Sequence, residues 1–206
     1  MSVKWVVFDA MGVVFTVGDD TGELLIPFVR ERNPALSVER ILKLYIEASL
    51  GNIEAFEFWQ KLGFGEKYPD IQYEYLDTCL TLDGQFKETA AKLKGKYNLA
   101  MLSNDIGEWS AWLRKKHGLD KLFDDCVISS EVKCRKPSEE IFKLLLNRLG
   151  AAPQDCVFID DSIKNVDAAG VLGIKTILFD RTINDCYENF AAKSFDEMTE
   201  TIHKVL

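Results

Sequence analysis

The chain has 206 residues, 47% hydrophobic and 28% charged, with a net charge of −8. That length supports one sizeable core, or a core with a small appended domain, and the composition is ordinary for a globular protein. The acidic balance argues against non-specific binding to nucleic acid, whose phosphates need a basic face, yet it leaves room for a phosphorylated small molecule where a metal ion supplies positive charge.

In chain order, Trp5 to Phe8 is a short apolar run that predicts a buried strand, closed by Asp9, with Gly12 three residues later. Thr16 to Gly22 is rich in Gly, Asp and Thr and breaks the pattern. From Glu23 to Asp83 the spacing is helical. Leu24, Leu25, Phe28 and Val29 share a face, and Ser37 reads as an N-cap, although Arg40 stands where a capping box wants an acid. Ile41, Leu44, Tyr45 and Ala48 continue an apolar stripe. Gly51-Asn52 is a turn, Glu54 to Leu62 a short helix, Gly63 to Asp70 a loop, and Ile71 to Cys79 a further helix.

Beyond Asp83 the pattern alternates. Helices are predicted over Phe86 to Leu93, Glu108 to Lys116, Ser138 to Leu149, Ser162 to Leu172 and Phe195 to Leu206. Strands are predicted over Asn98 to Asn104, Asp125 to Ser129, Cys156 to Asp160 and Lys175 to Phe179. This alternation predicts an α/β fold: a Rossmann-like parallel sheet with helices on both faces, plus a small all-helical domain. The expected boundaries are 1–16 and 84–206 for the α/β core and 17–83 for the helical domain.

Cys79, Cys126, Cys134, Cys156 and Cys186 form no Cys-x-x-Cys pair, which reads as reduced thiols rather than a disulfide frame or zinc site. No signal-peptide pattern and no bilayer-length apolar run is present, so a cytoplasmic location without membrane association is expected.

Right-handed crossovers bring the C-terminal ends of parallel strands to one edge. Four polar clusters fall there: Asp9, Ser103-Asn104, Lys136-Pro137 and Asp160-Asp161. Singly, each has a plainer reading: Asp9 as a turn former, Ser103-Asn104 and Asp160-Asp161 as helix caps, Lys136 as a solvated lysine before a helix. Adjacent buried carboxylates repel, however, so the acid pair calls for a cation.

In order, Phe8-Asp9-Ala10-Met11-Gly12-Val13, Leu102-Ser103-Asn104, Arg135-Lys136-Pro137-Ser138-Glu139-Glu140-Ile141-Phe142 and Phe158-Ile159-Asp160-Asp161-Ser162, with Asn165, Ala168, Ala169 and Gly173 following, resemble the four motifs of the haloacid dehalogenase-like (HAD) hydrolase superfamily. The helical stretch between the first two resembles the cap of the branch that includes the haloacid dehalogenases, small-sugar phosphatases and the phosphatase domain of soluble epoxide hydrolase. The resemblance implies a Mg²⁺-dependent phosphohydrolase acting on a small phosphorylated metabolite through an aspartyl-phosphate on Asp9. Asp9, Ser103 and Lys136 are then the expected catalytic residues, with Ser103, Asn104 and Lys136 on the substrate. Asp9, the Met11 carbonyl, Asp160 and Asp161 are expected at the metal, Asp160 through water or from behind, with Asn165 orienting it.

The chemistry is consistent with those residue types. A carboxylate attacks a phosphoryl or carbon–halogen centre and divides one hard step into two. Ser103 Oγ holds phosphate oxygens, Lys136 neutralises charge, and Asp161 is a hard oxygen ligand for Mg²⁺.

One position departs from the pattern. The phosphatases of the superfamily usually carry an acid two residues after the nucleophile, and here that residue is Met11. Three readings stay open: a phosphohydrolase whose leaving group needs little protonation or whose acid comes from elsewhere; a metal-independent 2-haloacid dehalogenase, against which the acid pair argues; and a catalytically weak phosphate-ligand-binding module. Phosphonate cleavage is a further variant and would use one of Lys43, Lys61 or Lys67. Phe28, Tyr45, Phe56, Phe58, Trp59 and Tyr73 are candidates to line the space under the cap, most of them as core; Arg30 and Arg32 read as solvated surface, and Trp109 and Trp112 as packing. His117 and His203 fall far from the motifs.

Overall fold

The computed structural model describes residues 4–182 and 190–206. β1 (Trp5–Phe8) is followed by a wide turn, Ala10–Val14, closed by the Phe15 N–H donating to Ala10 O at 2.8 Å. A second turn, Thr21–Leu25, runs into α1 (Ile26–Arg32). Next come α2 (Val38–Ser49), α3 (Ala55–Lys61) and α4 (Asp70–Thr78). Ser37 caps α2 by accepting from the Arg40 N–H at 3.2 Å. No strand forms in this stretch.

The remainder alternates: α5 (Phe86–Lys94), β2 (Asn98–Ser103), α6 (Gly107–His117), β3 (Asp125–Ile128), α7 (Ser129–Val132), α8 (Glu139–Leu149), β4 (Cys156–Asp160), α9 (Ile163–Val171), β5 (Lys175–Phe179), β6 (Ala191–Ala192) and α10 (Phe195–Val205). All strand pairs are parallel, in the order β3-β2-β1-β4-β5-β6. The sequence does not suggest β6, because two alanines carry no periodicity. Cys186 lies outside the described residues, and the other four cysteines are free. Among the described residues, no helix is long and apolar enough to cross a membrane.

The strands read as continuous apolar runs because both faces are covered. Val6, Phe8, Leu99, Met101, Val157 and Ile159 face a core shared with α5, α6, α10 and the helices before α5. Trp5, Val7, Ala100, Leu102 and Phe158 face the other way, onto α8 and α9. The helical insert therefore has no separate core. Its Phe58, Trp59 and Tyr75 rings lie 5.5, 5.8 and 5.2 Å from Trp109 of α6. Buried Gln72 accepts from both Trp59 Nε1 (3.3 Å) and Trp109 Nε1 (2.7 Å), so both buried indole donors are satisfied. The two chain crossings into the insert run side by side: Phe15 bridges Leu82, Thr16 N–H donates to Thr81 O at 3.0 Å, and Asp83 N–H donates to Val14 O at 2.9 Å.

Candidate active site at the strand edge

Asp9 is the first residue past β1, and its N–H still donates to Ile159 O at 2.8 Å. The ladder thus fixes its backbone between β2 and β4. Its Oδ1 accepts from the Ala10 N–H at 2.6 Å and lies 2.6 Å from Lys136 Nζ. The same ammonium lies 2.7 Å from Asp160 Oδ2. Lys136 is itself clamped: its N–H donates to Asn104 Oδ1 at 2.9 Å, and its carbonyl accepts from Asn104 Nδ2 at 3.0 Å. The side chain of Asn104, expected on the substrate, is thereby engaged with Lys136. Ser103 ends β2, 1% exposed.

The two adjacent acids differ. Asp160 is fully buried and saturated by the protein. Oδ1 accepts from the Ser162 N–H (2.8 Å) and Asn165 Nδ2 (3.0 Å), and Oδ2 from Asn165 Nδ2 (3.0 Å) and Lys136. Ser162 makes no side-chain cap to α9, since Asp160 binds the turn instead. Asp161 is half-buried and faces the backbone of the first loop. A Cβ on Gly12 or Gly18 would overlap its Oδ2. Gly12 also has φ 75°, a left-handed conformation that favours glycine. The role of Gly18 is invisible in the sequence, where it is one glycine in a polar break. So is that of Arg181, which donates to Gly12 O (3.1 Å) and pairs with Asp83 (2.6 Å).

Three carboxylates face one ammonium here. Burial first, then Asp160 and Asp161, pushes Asp9 well above the usual carboxylate range, against the pull of Lys136. Burial and then Asp160 push Asp161 up to about 6. Burial works against the Lys136 charge, but Asp160 and Asp9 outweigh it and raise its pKa. Oxygen atoms of Asp9, Asp160 and Asp161 lie within 4.8 Å of one another. An all-oxygen, charge-rich donor set of this kind fits a hard divalent cation, and such a cation would offset the burial and repulsion that raise Asp9 and Asp161. With Asp160 saturated, Asp9 and Asp161 are the carboxylates free to hold it. The Met11 side chain belongs to the apolar core, so only its backbone is available to a polar partner.

The remaining candidates lie elsewhere. Phe28, Tyr45, Phe58 and Trp59 are core, Phe56 is exposed, and Tyr73 stacks on Trp112 with centroids 4.2 Å apart. Arg32 pairs with Glu74 at 2.5 Å, and Arg30 is exposed. Lys43, Lys61 and Lys67 are all exposed, a poor setting for the desolvated lysine that Schiff-base chemistry uses.

The chain is similar to known proteins of one hydrolase family. The family model for haloacid dehalogenase-like hydrolases matches residues 3–173. The chain is 31% identical over 105 residues to (S)-2-haloacid dehalogenase 4A of Burkholderia cepacia, a match spanning 50% of this chain and 46% of that one. It is 25% identical over 204 residues to the sesquiterpene phosphatase astK of Aspergillus oryzae, spanning 90% and 94%. Its fold matches, with a TM-score of 0.73, a HAD family enzyme of Bacteroides thetaiotaomicron solved in complex with magnesium and inorganic phosphate; that enzyme is 23% identical, with 90% of this chain and 98% of that one covered.

Proposed function

Because the chain belongs to the haloacid dehalogenase-like hydrolase family, we propose that this hydrolase is a Mg²⁺-dependent phosphohydrolase that cleaves a small phosphorylated metabolite through an aspartyl-phosphate on Asp9. The observation that carries the reading is the gathering of Asp9, Asp160 and Asp161 oxygens within 4.8 Å of one another, with a single ammonium, Lys136, paired to Asp9 and Asp160. That imbalance suits a second cation, and phosphoryl transfer uses such charge to hold phosphate oxygens. The phosphatase among the relatives and the magnesium–phosphate complex of a structural neighbour support it.

In this reading, Asp9 supplies the attacking oxygen, oriented by the Ala10 N–H and Lys136. Lys136 also offsets charge on the phosphate oxygens, Ser103 holds one of them, and Asn104 keeps Lys136 in place. Asp161, Asp9 and the Met11 carbonyl hold Mg²⁺, with Asp160 behind them. The ion, when bound, withdraws charge from the phosphoryl group. The helical insert, residues 17–83, acts as a cap that excludes water and large substrates.

Dehalogenation is the second reading, favoured by Met11 in place of an acid and by the dehalogenase relative. Calorimetric Mg²⁺ titration of the wild type, Asp9→Asn and Asp161→Asn separates the two, alongside a screen for phosphate and halide release. Binding lost in both variants, with metal-dependent phosphate release, is the expected result. Halide release from 2-haloacids without metal would overturn it.

A further inference from the structure

Gly12 sits against Asp161 in the first loop. It follows Met11, whose carbonyl is the proposed Mg²⁺ ligand, and a Cβ on it would fall 2.2 Å from Asp161 Oδ2. Only glycine fits there, at φ 75° and ψ −19°. Glycine, however, is the residue least able to hold a chosen φ and ψ by itself. The shape of this turn must therefore be imposed by bonds from outside it, and the structure provides two. The Gly12 N–H donates to Val17 O at 2.9 Å, and Gly12 O accepts from Arg181 Nη1 at 3.1 Å. In a planar trans peptide the N–H and the preceding C=O point in opposite directions. The first bond thus sets the direction of the Met11 carbonyl, and the second sets the peptide that follows.

Arg181 reaches the turn from just beyond β5, and its mount is firm. The Asp180 N–H donates to Ala192 O at 3.1 Å, and Asp180 Oδ1 accepts from the Thr182 N–H at 2.8 Å and the Thr182 hydroxyl at 2.7 Å. The guanidinium lies over the rings of Phe179 and Phe195, 4.7 and 5.8 Å from their centroids. Its Nη2 pairs with Asp83 Oδ2 at 2.6 Å. Asp83 stands at the return crossing from the insert, where its N–H donates to Val14 O at 2.9 Å and its Oδ1 accepts from the Gln85 N–H at 2.9 Å. One planar fork therefore joins the Gly12 turn to that crossing. A partly exposed ion pair contributes little by itself; the charge-assisted bond to the Gly12 carbonyl is what acts on the site.

We propose that Arg181 is a positioning residue for the metal site: it holds the Gly12 turn in the shape that aims the Met11 carbonyl and seats Asp161, and Asp83 holds Arg181 in register. The inference rests on the Mg²⁺-dependent reading above and deepens it. Among the described residues, Arg181 pairs with Asp83 and not with Asp9 or Asp161, so its effect on the ion passes through the loop backbone. The bond to Asp83 also makes the metal site sensitive to where the insert rejoins the core.

The test is calorimetric titration of wild type and variants with Mg²⁺, with melting in chelator as the check on the fold. Arg181→Met keeps an apolar stem and removes both donors. It should weaken Mg²⁺ binding by roughly 10–100-fold, the usual effect of losing a group that orients a metal ligand. Its melting midpoint in chelator should stay within a few degrees of wild type, because the ion pair it breaks is partly exposed. Arg181→Lys keeps a charged donor and should recover part of the affinity. Asp83→Asn, nearly isosteric, should weaken binding less. The double variant Asp83→Asn with Arg181→Met should bind as Arg181→Met does, since the two residues act in series. Wild-type affinity in Arg181→Met, or losses that multiply in the double variant, would overturn the inference and leave the phosphohydrolase reading standing. A wild type that binds no Mg²⁺ would overturn both. Should Arg181→Met fail to fold, Asp83→Asn decides: a weakened Mg²⁺ affinity supports the inference, and an unchanged one overturns it.

Discussion

Asp160 and Asp161 are neighbours in the chain with opposite surroundings. Asp160 ends β4 inside the protein and is bound by Lys136, Asn165 and the Ser162 N–H; Asp161 points out toward the first loop. Breaking a buried ion pair by removing one partner typically costs about 3–5 kcal/mol, so Asp160→Ala should lose stability on that scale in chemical denaturation. Asp161→Asn removes a repelled carboxylate and should keep or gain stability while losing the metal in calorimetry. Similar stability losses in the two variants would mean that Asp161 also holds the fold. The family resemblance already set Asp160 behind Asp161; what the sequence does not carry is the set of groups that bind Asp160, because Lys136, Asn165 and the Ser162 N–H meet it only at the end of β4. Asp9 and Lys136 were legible from their motifs. Arg181 was not: Asp180-Arg181-Thr182 looks like any polar loop, and its partners Gly12 and Asp83 come from far along the chain.

At the scale of elements, the site depends on how closely the first loop approaches β4. Gly18 leaves the space that the Asp161 carboxylate occupies. The obstructing atom is the end of a side chain and can swing away, so Gly18→Ala should cost under about 1 kcal/mol of stability. The displaced carboxylate should weaken Mg²⁺ binding by about tenfold or more, equivalent to roughly 1.4 kcal/mol, as read by calorimetry. Gly12→Ala should be the more destabilising of the two, since its φ is left-handed and the overlap there extends to Asp161 Cβ. Equal Mg²⁺ affinity in Gly18→Ala and wild type would show that Asp161 binds no metal from this position. The alternation of strands and helices was readable because buried parallel strands are apolar without interruption. β6 was not, because its two alanines carry no periodicity and declare themselves only by pairing with Leu178 and Phe179 of β5.

For the molecule as a whole, the insert and one face of the sheet share a single apolar core, so the charge state of the site is felt by the entire fold. Asp9, Asp20, Asp105 and Asp161 all have their pKa raised by folding, burial being the first cause in each. The folded chain therefore holds more protons than the unfolded chain once pH exceeds the ordinary carboxylate value. Stability then falls as pH rises from about 4, where the unfolded carboxyls ionise, through the folded values of about 6 for Asp161 and about 7 for Asp20. Acids lowered by surface partners, such as Asp77 and Asp124, act in the opposite sense, but below that window. His117, held below its ordinary value by burial, opposes the trend within the window, and His117→Asn removes that contribution. In the proposed site Mg²⁺ would need Asp9 and Asp161 ionised, so its stabilisation should grow over the same range, following the free-ligand linkage relation. In chelator, the thermal midpoint should be lower at about pH 8 than at about pH 5; added Mg²⁺ should shift it little at the lower pH and by several degrees at the higher. A chelator-treated protein that gains stability toward pH 8 would contradict the raised acids. A Mg²⁺ shift of the same size at both pH values would place the ion on groups other than Asp9 and Asp161.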